Sequence, residues 1–237
     1  MKKMFFLFFL FAVICSLSSA LHETWFSAGY EQAFLMETQT DLLGYNIDKF
    51  TSSRGMNLSA YRFLHEDIGI FVHGTFLFPY ESRTWDNKGI YNINLNDYLM
   101  NIQFGSTAGF AFKYDITGDF KFYGGIGLNY LMTWAVFPGE KTLSYDIFSS
   151  SIGIGGDIGL KYDFTDRIFI STGCILTFDF ARHTTADTYT GSSISASASE
   201  WDPDFFMFNA RPYISLGLNF FWKNNNGNLR LTTGKPD

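Results

Sequence analysis

Cysteine is scarce: two in 237 residues, and Cys15 lies within the first twenty. Cys174 alone remains beyond that segment, so an internal disulfide is impossible and a disulfide-stapled exported scaffold is excluded. Charge is scarce too, at 17% of residues against roughly 25% in typical soluble domains. Cations are in deficit, 17 Lys and Arg to 23 Asp and Glu, which leaves a net charge of −6. An acidic chain is a poor partner for nucleic acid, whose phosphates need a basic face. Beyond the N-terminal segment no stretch approaches 18 uninterrupted apolar residues, which excludes a transmembrane helix, and the mean hydropathy is only +0.01.

Aromatics, by contrast, are abundant: 28 Phe, 13 Tyr and 5 Trp, 19% of the chain. Disordered chains lack aromatics, and collagen-like or coiled-coil compositions look different. A soluble β protein and a membrane β-barrel are the readings that survive.

The N-terminus speaks for export. Lys2 and Lys3 precede an apolar run from Met4 to Cys15, and Ser18-Ser19-Ala20 supplies the small residues of a cleavage site. This is the pattern of a secretory signal peptide over residues 1–20. Cys15 raises lipidation as an alternative, although Ile14 before it is larger than a lipoprotein signal prefers.

The mature sequence alternates with period two. Met100, Ile102, Phe104, Ser106, Ala108, Phe110 and Phe112 share one face of 100–113, apolar but for Ser106, while Asn101, Gln103, Gly105, Thr107, Gly109, Ala111 and Lys113 share the other, on which only Ala111 is apolar. The same pattern holds over 148–162 and 206–222, and less cleanly near 24–36, 55–64, 68–79, 120–135 and 168–180. That predicts eight strands with one greasy and one polar face. A soluble sandwich also alternates, but three features favour a closed transmembrane barrel. The strands are long for a globular sheet. Gly, Ser, Thr and Asn dominate the polar face. The connections alternate between long (37–54, 80–99, 136–147, 181–205) and short (65–67, 115–119, 163–167), as in outer-membrane barrels with short periplasmic turns. Aromatics collect near both strand ends, as expected of interfacial girdles. The fold class is thus all-β, a closed antiparallel eight-stranded transmembrane β-barrel over residues 21–222, followed by a polar tail, 223–237, expected to be disordered.

The chain resembles the small outer-membrane barrels of diderm bacteria, the OmpW-like group first, and the OmpX and OmpA-transmembrane types. The last strand carries the most specific match. Ser215-Leu216-Gly217-Leu218-Asn219-Phe220-Phe221-Trp222 resembles the family's assembly signal, with Ser215, Gly217, Phe220 and Trp222 at its key positions, although this chain runs on past the terminal aromatic. The resemblance implies outer-membrane lipid and the barrel-assembly machinery as partners, and a location in the outer membrane of a diderm bacterium. It also implies a narrow channel or binding barrel for small hydrophobic solutes. The alternative is a non-transporting surface protein whose outer loops bind a host or matrix ligand.

An eight-stranded barrel is wide enough only to be filled by side chains or to hold one small ligand. Inward glycines could leave a passage or make room for inward Phe71, Tyr61, Tyr123, Phe169 and Tyr213. The deep charges Glu31, Asp157 and Arg211, with His73 and Asp179, form either a plugging ion network or a polar constriction. Arg211 is expected to pair with Glu31, Asp157 or both, because a buried charge needs a partner. Outside, Trp85 and Trp201 could grip a ligand, and the Ser/Thr-rich middle of 181–205 suggests mobility. Residues 90–97 alternate with the opposite parity to 100–112, which implies a bulge or a small hairpin. His183 lies in sequence among Asp179, Asp187, Asp202 and Asp204, a set that could serve general-base chemistry. No outer-membrane hydrolase pattern accompanies it, so no enzyme, cofactor or metal site is expected.

Overall fold

The computed structural model describes residues 22–40, 46–64, 67–86, 89–138, 143–190, 193–202, 205–225 and 228–232. Residues 1–20, read above as a signal peptide, with Cys15, and Asp204 and the end of the tail lie outside them.

Strand β1 (His22–Thr40) pairs with β2 (Asn46–Phe63), and β2 with β3 (Ile68–Asp86). β3 pairs with β5 (Met100–Asp115), and the ring continues through β6 (Phe120–Pro138), β7 (Leu143–Asp163) and β8 (Ile168–Thr190) to β10 (Phe206–Asn225). β10 returns to β1, from His22 opposite Trp222 to Thr38 opposite Phe206. Eight antiparallel strands therefore close on themselves, as the alternation predicts. Closure leaves no edge N–H or C=O to face hydrocarbon.

The molecule is apolar outside and polar within. Leu58, Ile68, Phe110, Ile126, Leu128 and Leu216 point outward and are each more than 60% exposed, while Glu31, His73, Asp179 and Arg211 are wholly buried. A soluble sandwich would bury the first set. Only lipid makes this arrangement favourable.

The outer and C-terminal segments hold more strand than the sequence reading expects. The long connections are mostly strand: β2 begins at Asn46, β3 reaches Asp86, and β8 runs to Thr190 before β9 (Ser193–Asp202) returns along it. The Ser/Thr-rich middle of 181–205 is thus a paired ribbon among the described residues, because threonine suits a pleated surface and the alternation continues through it. Residues 89–97 form a small hairpin, one of the two alternatives that the parity change left open: β4 (Gly89–Ile93) pairs with the top of β3, and one 3-10 turn, Leu95–Asp97, leads into β5. Within 223–232 the described residues of the tail are strand. β10 continues to Asn225, and β11 (Asn228–Thr232) folds back on it below the end of β8.

Two irregularities near the outer ends reverse which residues face the lumen. β3 bulges at Tyr80, and β8 bulges at Phe180. Odd-numbered residues point inward below each bulge and even-numbered ones above it, so Ser82 and Arg182 join the interior.

Candidate functional site

The lumen is stacked in layers. At the end that carries the short turns Lys113 pairs with Glu23, and Lys161 with Asp163. Lys121 lies 3.3 Å from Asp115 and 3.7 Å from Asp163. Above them Trp25, Tyr61, Phe63, Phe71, Tyr123 and Phe169 form one buried aromatic cluster. The Trp25 and Phe63 rings are 4.5 Å apart, and the Lys161 ammonium sits 4.6 Å from the Trp25 ring. The inward glycines seat these rings. A methyl group on Gly125 would come within 2.5 Å of the Phe71 ring, and one on Gly173 within 2.7 Å of the Tyr213 hydroxyl. Of the two readings of the glycines, filling is the one realised.

The middle layer is a polar network. Glu31 accepts hydrogen bonds from Thr75 (2.5 Å) and lies 2.7 Å from His73 Nε2, whose Nδ1 meets Ser59 at 2.7 Å. Arg211 Nε is 3.7 Å from Glu31, and its Nη2 donates to Thr107 (2.8 Å) and Asn129 (3.2 Å). Asn129 and Ser151 donate to Asp179 at 2.7 and 2.5 Å. Arg211 therefore pairs with Glu31, across the β1–β10 seam. It does not pair with Asp157, which is held by the Tyr213 hydroxyl at 2.9 Å while Tyr213 sits 2.6 Å from Tyr123. Ser59, His73 and Glu31 stand in the order of a hydrolase relay. They are sealed between the aromatic layer and an apolar cover of Ala33, Leu35, Leu77, Leu131, Phe205 and Met207, so no substrate reaches the serine.

Above that cover is an outer cavity of about 150 Å³. Leu35, Leu131, Phe205 and Met207 make its floor; Thr51, Ser82, Gln103, Thr133 and Ser149 line its sides. At its rim Glu37 pairs with Lys49 (3.0 Å) and Arg182 (3.3 Å), and Arg182 also reaches Asp202 (3.3 Å) and lies over the Phe205 ring. The rim cations are thus balanced by rim carboxylates, and the cavity itself is amphipathic.

The cavity has a break in its wall. Pairing between β3 and β5 stops at Leu77 opposite Gln103, although both strands continue outward. Pro79 has no N–H to offer the ladder, and Tyr80 bulges beside it. Beyond that point the wall is made by Pro79, Ser82, Ile93, Leu95 and Tyr98, all lining the cavity.

The remaining sequence candidates are scattered. Ser215 donates to Asn57 inside the barrel (2.7 Å), Gly217 lies beneath the Phe169 ring, and Phe220 packs edge-on against Phe26 on the outer wall. Trp222 pairs with His22 at the short-turn end of the β1–β10 ladder. Trp85 sits on the β3 ribbon and Trp201 on β9, separate elements. His183 meets Ser199 at 2.8 Å, and its ring lies tilted 4.9 Å from that of Trp201. Two of the carboxylates grouped with His183 in sequence are otherwise engaged: Asp179 faces the lumen and Asp202 binds Arg182. Glu37, Lys49, Arg182 and Phe205 are cavity residues that strand parity did not single out, because they follow bulges or fall in segments that read as loops.

No protein-family model and no curated protein matches the chain. Solved structures do. The outer membrane protein OprG from Pseudomonas aeruginosa aligns with a TM-score of 0.58 at 13% identity, over 86% of this chain and 98% of that one. AlkL, determined in lipid bilayers, aligns at 0.46 with 16% identity over 87% and 92%. Ail of Yersinia pestis aligns at 0.43 with 15% identity over 84% and 98%. The fold is that of a small outer-membrane β-barrel, and with its apolar outer wall it belongs in an outer membrane.

Proposed function

We propose that this barrel takes a small, largely apolar solute into its outer cavity and releases it sideways into the outer leaflet between β3 and β5. The observation that carries this reading is the interrupted β3–β5 ladder beside Pro79, located where the cavity meets the wall. The filled lumen beneath supports it, since an axial route would have to pass the apolar cover, the polar network and the aromatic layer. The balanced rim charges and the apolar floor suit an uncharged solute with one or two polar atoms.

Uptake of a small apolar solute by cells carrying the protein tests the route. Ala135→Trp, which fills the cavity, should abolish the added uptake. Trp25→Ala, which thins the aromatic layer, should leave it unchanged. Uptake that rises with Trp25→Ala and ignores Ala135→Trp would establish an axial path instead.

A second reading, a surface protein that binds a partner through its outer ribbons, draws on Ile90 and Trp201, which are 74% and 64% exposed there. Grafting 80–99 or 181–205 onto another barrel tests it; a graft that gains no binding argues against it.

A further inference from the structure

On the outward face of β2, Arg54 and Arg62 have no ion-pair partner among the described carboxylates, and Arg54 is the one toward the long-ribbon end. Arg54 lies on the lipid-facing side of β2, in line with Met56 and Leu58, which are 60% and 64% exposed. Across the ladders it sits between Gln32 of β1 and Phe78 of β3. Its guanidinium lies 5.5 Å from the centre of the Tyr80 ring. Among the described residues no carboxylate stands within ion-pair distance of it. Its neighbours differ: Arg83 binds Glu81 at 2.5 Å, and Lys49 turns inward to Glu37.

The surroundings of Arg54 are ordered. Tyr30 donates to Gln32 (3.3 Å), and Gln32 donates to the Tyr80 hydroxyl (2.5 Å). That chain fixes the ring on which the guanidinium rests and leaves the Tyr80 O–H free to donate outward. A planar cation and a hydroxyl donor thus stand together at the outer margin of the apolar band, where Phe78 gives way to Glu81 and Arg83. A charge at that depth is costly without a counter-charge. Water-soluble anions are dilute at this depth, whereas the phosphates of the surrounding lipid are fixed there. A guanidinium matches phosphate oxygens in a two-pronged geometry that an ammonium does not.

We propose that Arg54 and Tyr80 form a binding site for a lipid phosphate of the outer leaflet, the phosphate of lipid A, on the β2–β3 face of the barrel. The apolar side chains below it, Met56, Leu58 and Phe76, would lie along the acyl chains of the same lipid. This site is on the opposite side of the wall from the solute cavity and does not depend on it.

The test is titration of the full mature protein in nanodiscs with lipid A, read as bound lipid by native mass spectrometry. Wild type should bind one lipid A more tightly than the Arg54→Gln variant by about tenfold. Arg54→Lys should fall between them. Arg83→Gln, whose arginine already has a carboxylate, should match wild type. Removing the phosphates from lipid A should erase the difference between wild type and Arg54→Gln. Resistance of the folded band to detergent at room temperature on gels establishes that each variant is folded. Equal binding by wild type and Arg54→Gln would overturn the proposal, as would full displacement by an equal concentration of phosphatidylglycerol.

Discussion

The ring of Phe169 lies on Gly217, so closely that a methyl group built on the glycine would fall among the ring atoms. The two residues come from β8 and β10 and are paired across the ladder. The same glycine stands at a key position of the stretch that resembles an assembly signal, so its loss could act on assembly or on packing. The structure supplies a way to separate the two. Gly217→Ala should destabilise the folded barrel by about 1–3 kcal/mol through overpacking, read by urea titration in lipid. Adding Phe169→Leu should restore part of that loss. A defect confined to insertion in cells, with unchanged stability in vitro, would assign the glycine to assembly alone.

Arg211 and Glu31 close the ring electrostatically where β10 meets β1. Replacing Arg211 by leucine leaves buried Glu31 without its cation and should cost about 3–5 kcal/mol. The double replacement Arg211→Leu with Glu31→Leu should cost less than the single one. Urea midpoints of the three proteins measure this. A double variant less stable than Arg211→Leu would mean that Glu31 is held chiefly by His73 and Thr75.

The layered lumen makes an electrical prediction. In a planar bilayer the folded protein should show no discrete conductance steps. Replacing Trp25 and Tyr123 together by alanine removes the rings nearest the centre of the plug and should produce small steps. Steps from the unaltered protein would mean that the layers part in the membrane.

Orientation follows from which ends carry the long ribbons. A cysteine placed at Asp187 should react on intact cells with a maleimide that cannot cross the membrane. One placed at Thr117, in the β5–β6 turn, should not. The opposite result would invert the barrel, and with it the leaflet that Arg54 faces.

Much of this fold was legible in the sequence because a barrel wall obeys one rule for its whole height. Residues such as Phe110 and Gly109 declare their faces by parity alone, and eight such stretches joined by alternating short and long links leave little choice of topology. What parity could not reveal lies above the bulges. Past Tyr80 and Phe180 the faces exchange, and Ser82 and Arg182 fall in stretches that read as connections, so the outer cavity stayed hidden. The interior charges were visible as candidates, but not their pairing. Asp157 and Glu31 are equally plausible partners for Arg211 until the register is known, and the register puts the Tyr213 hydroxyl at Asp157. The glycine-rich face was ambiguous for a related reason: composition counts small residues but does not say which ring lies over each one.

The outward continuation of β2, β3, β8 and β9 also bears on how the cell surface is recognised. Residues such as 193–202 are met by an antibody as rungs of a two-stranded ribbon, not as a free peptide. Side chains that alternate along β9 present different faces, and what is adjacent on either face comes from β8. Epitopes there are assembled from separate parts of the chain. An antiserum raised on the linear segment would see little of them, and one exchange on β8 could change what is recognised on β9.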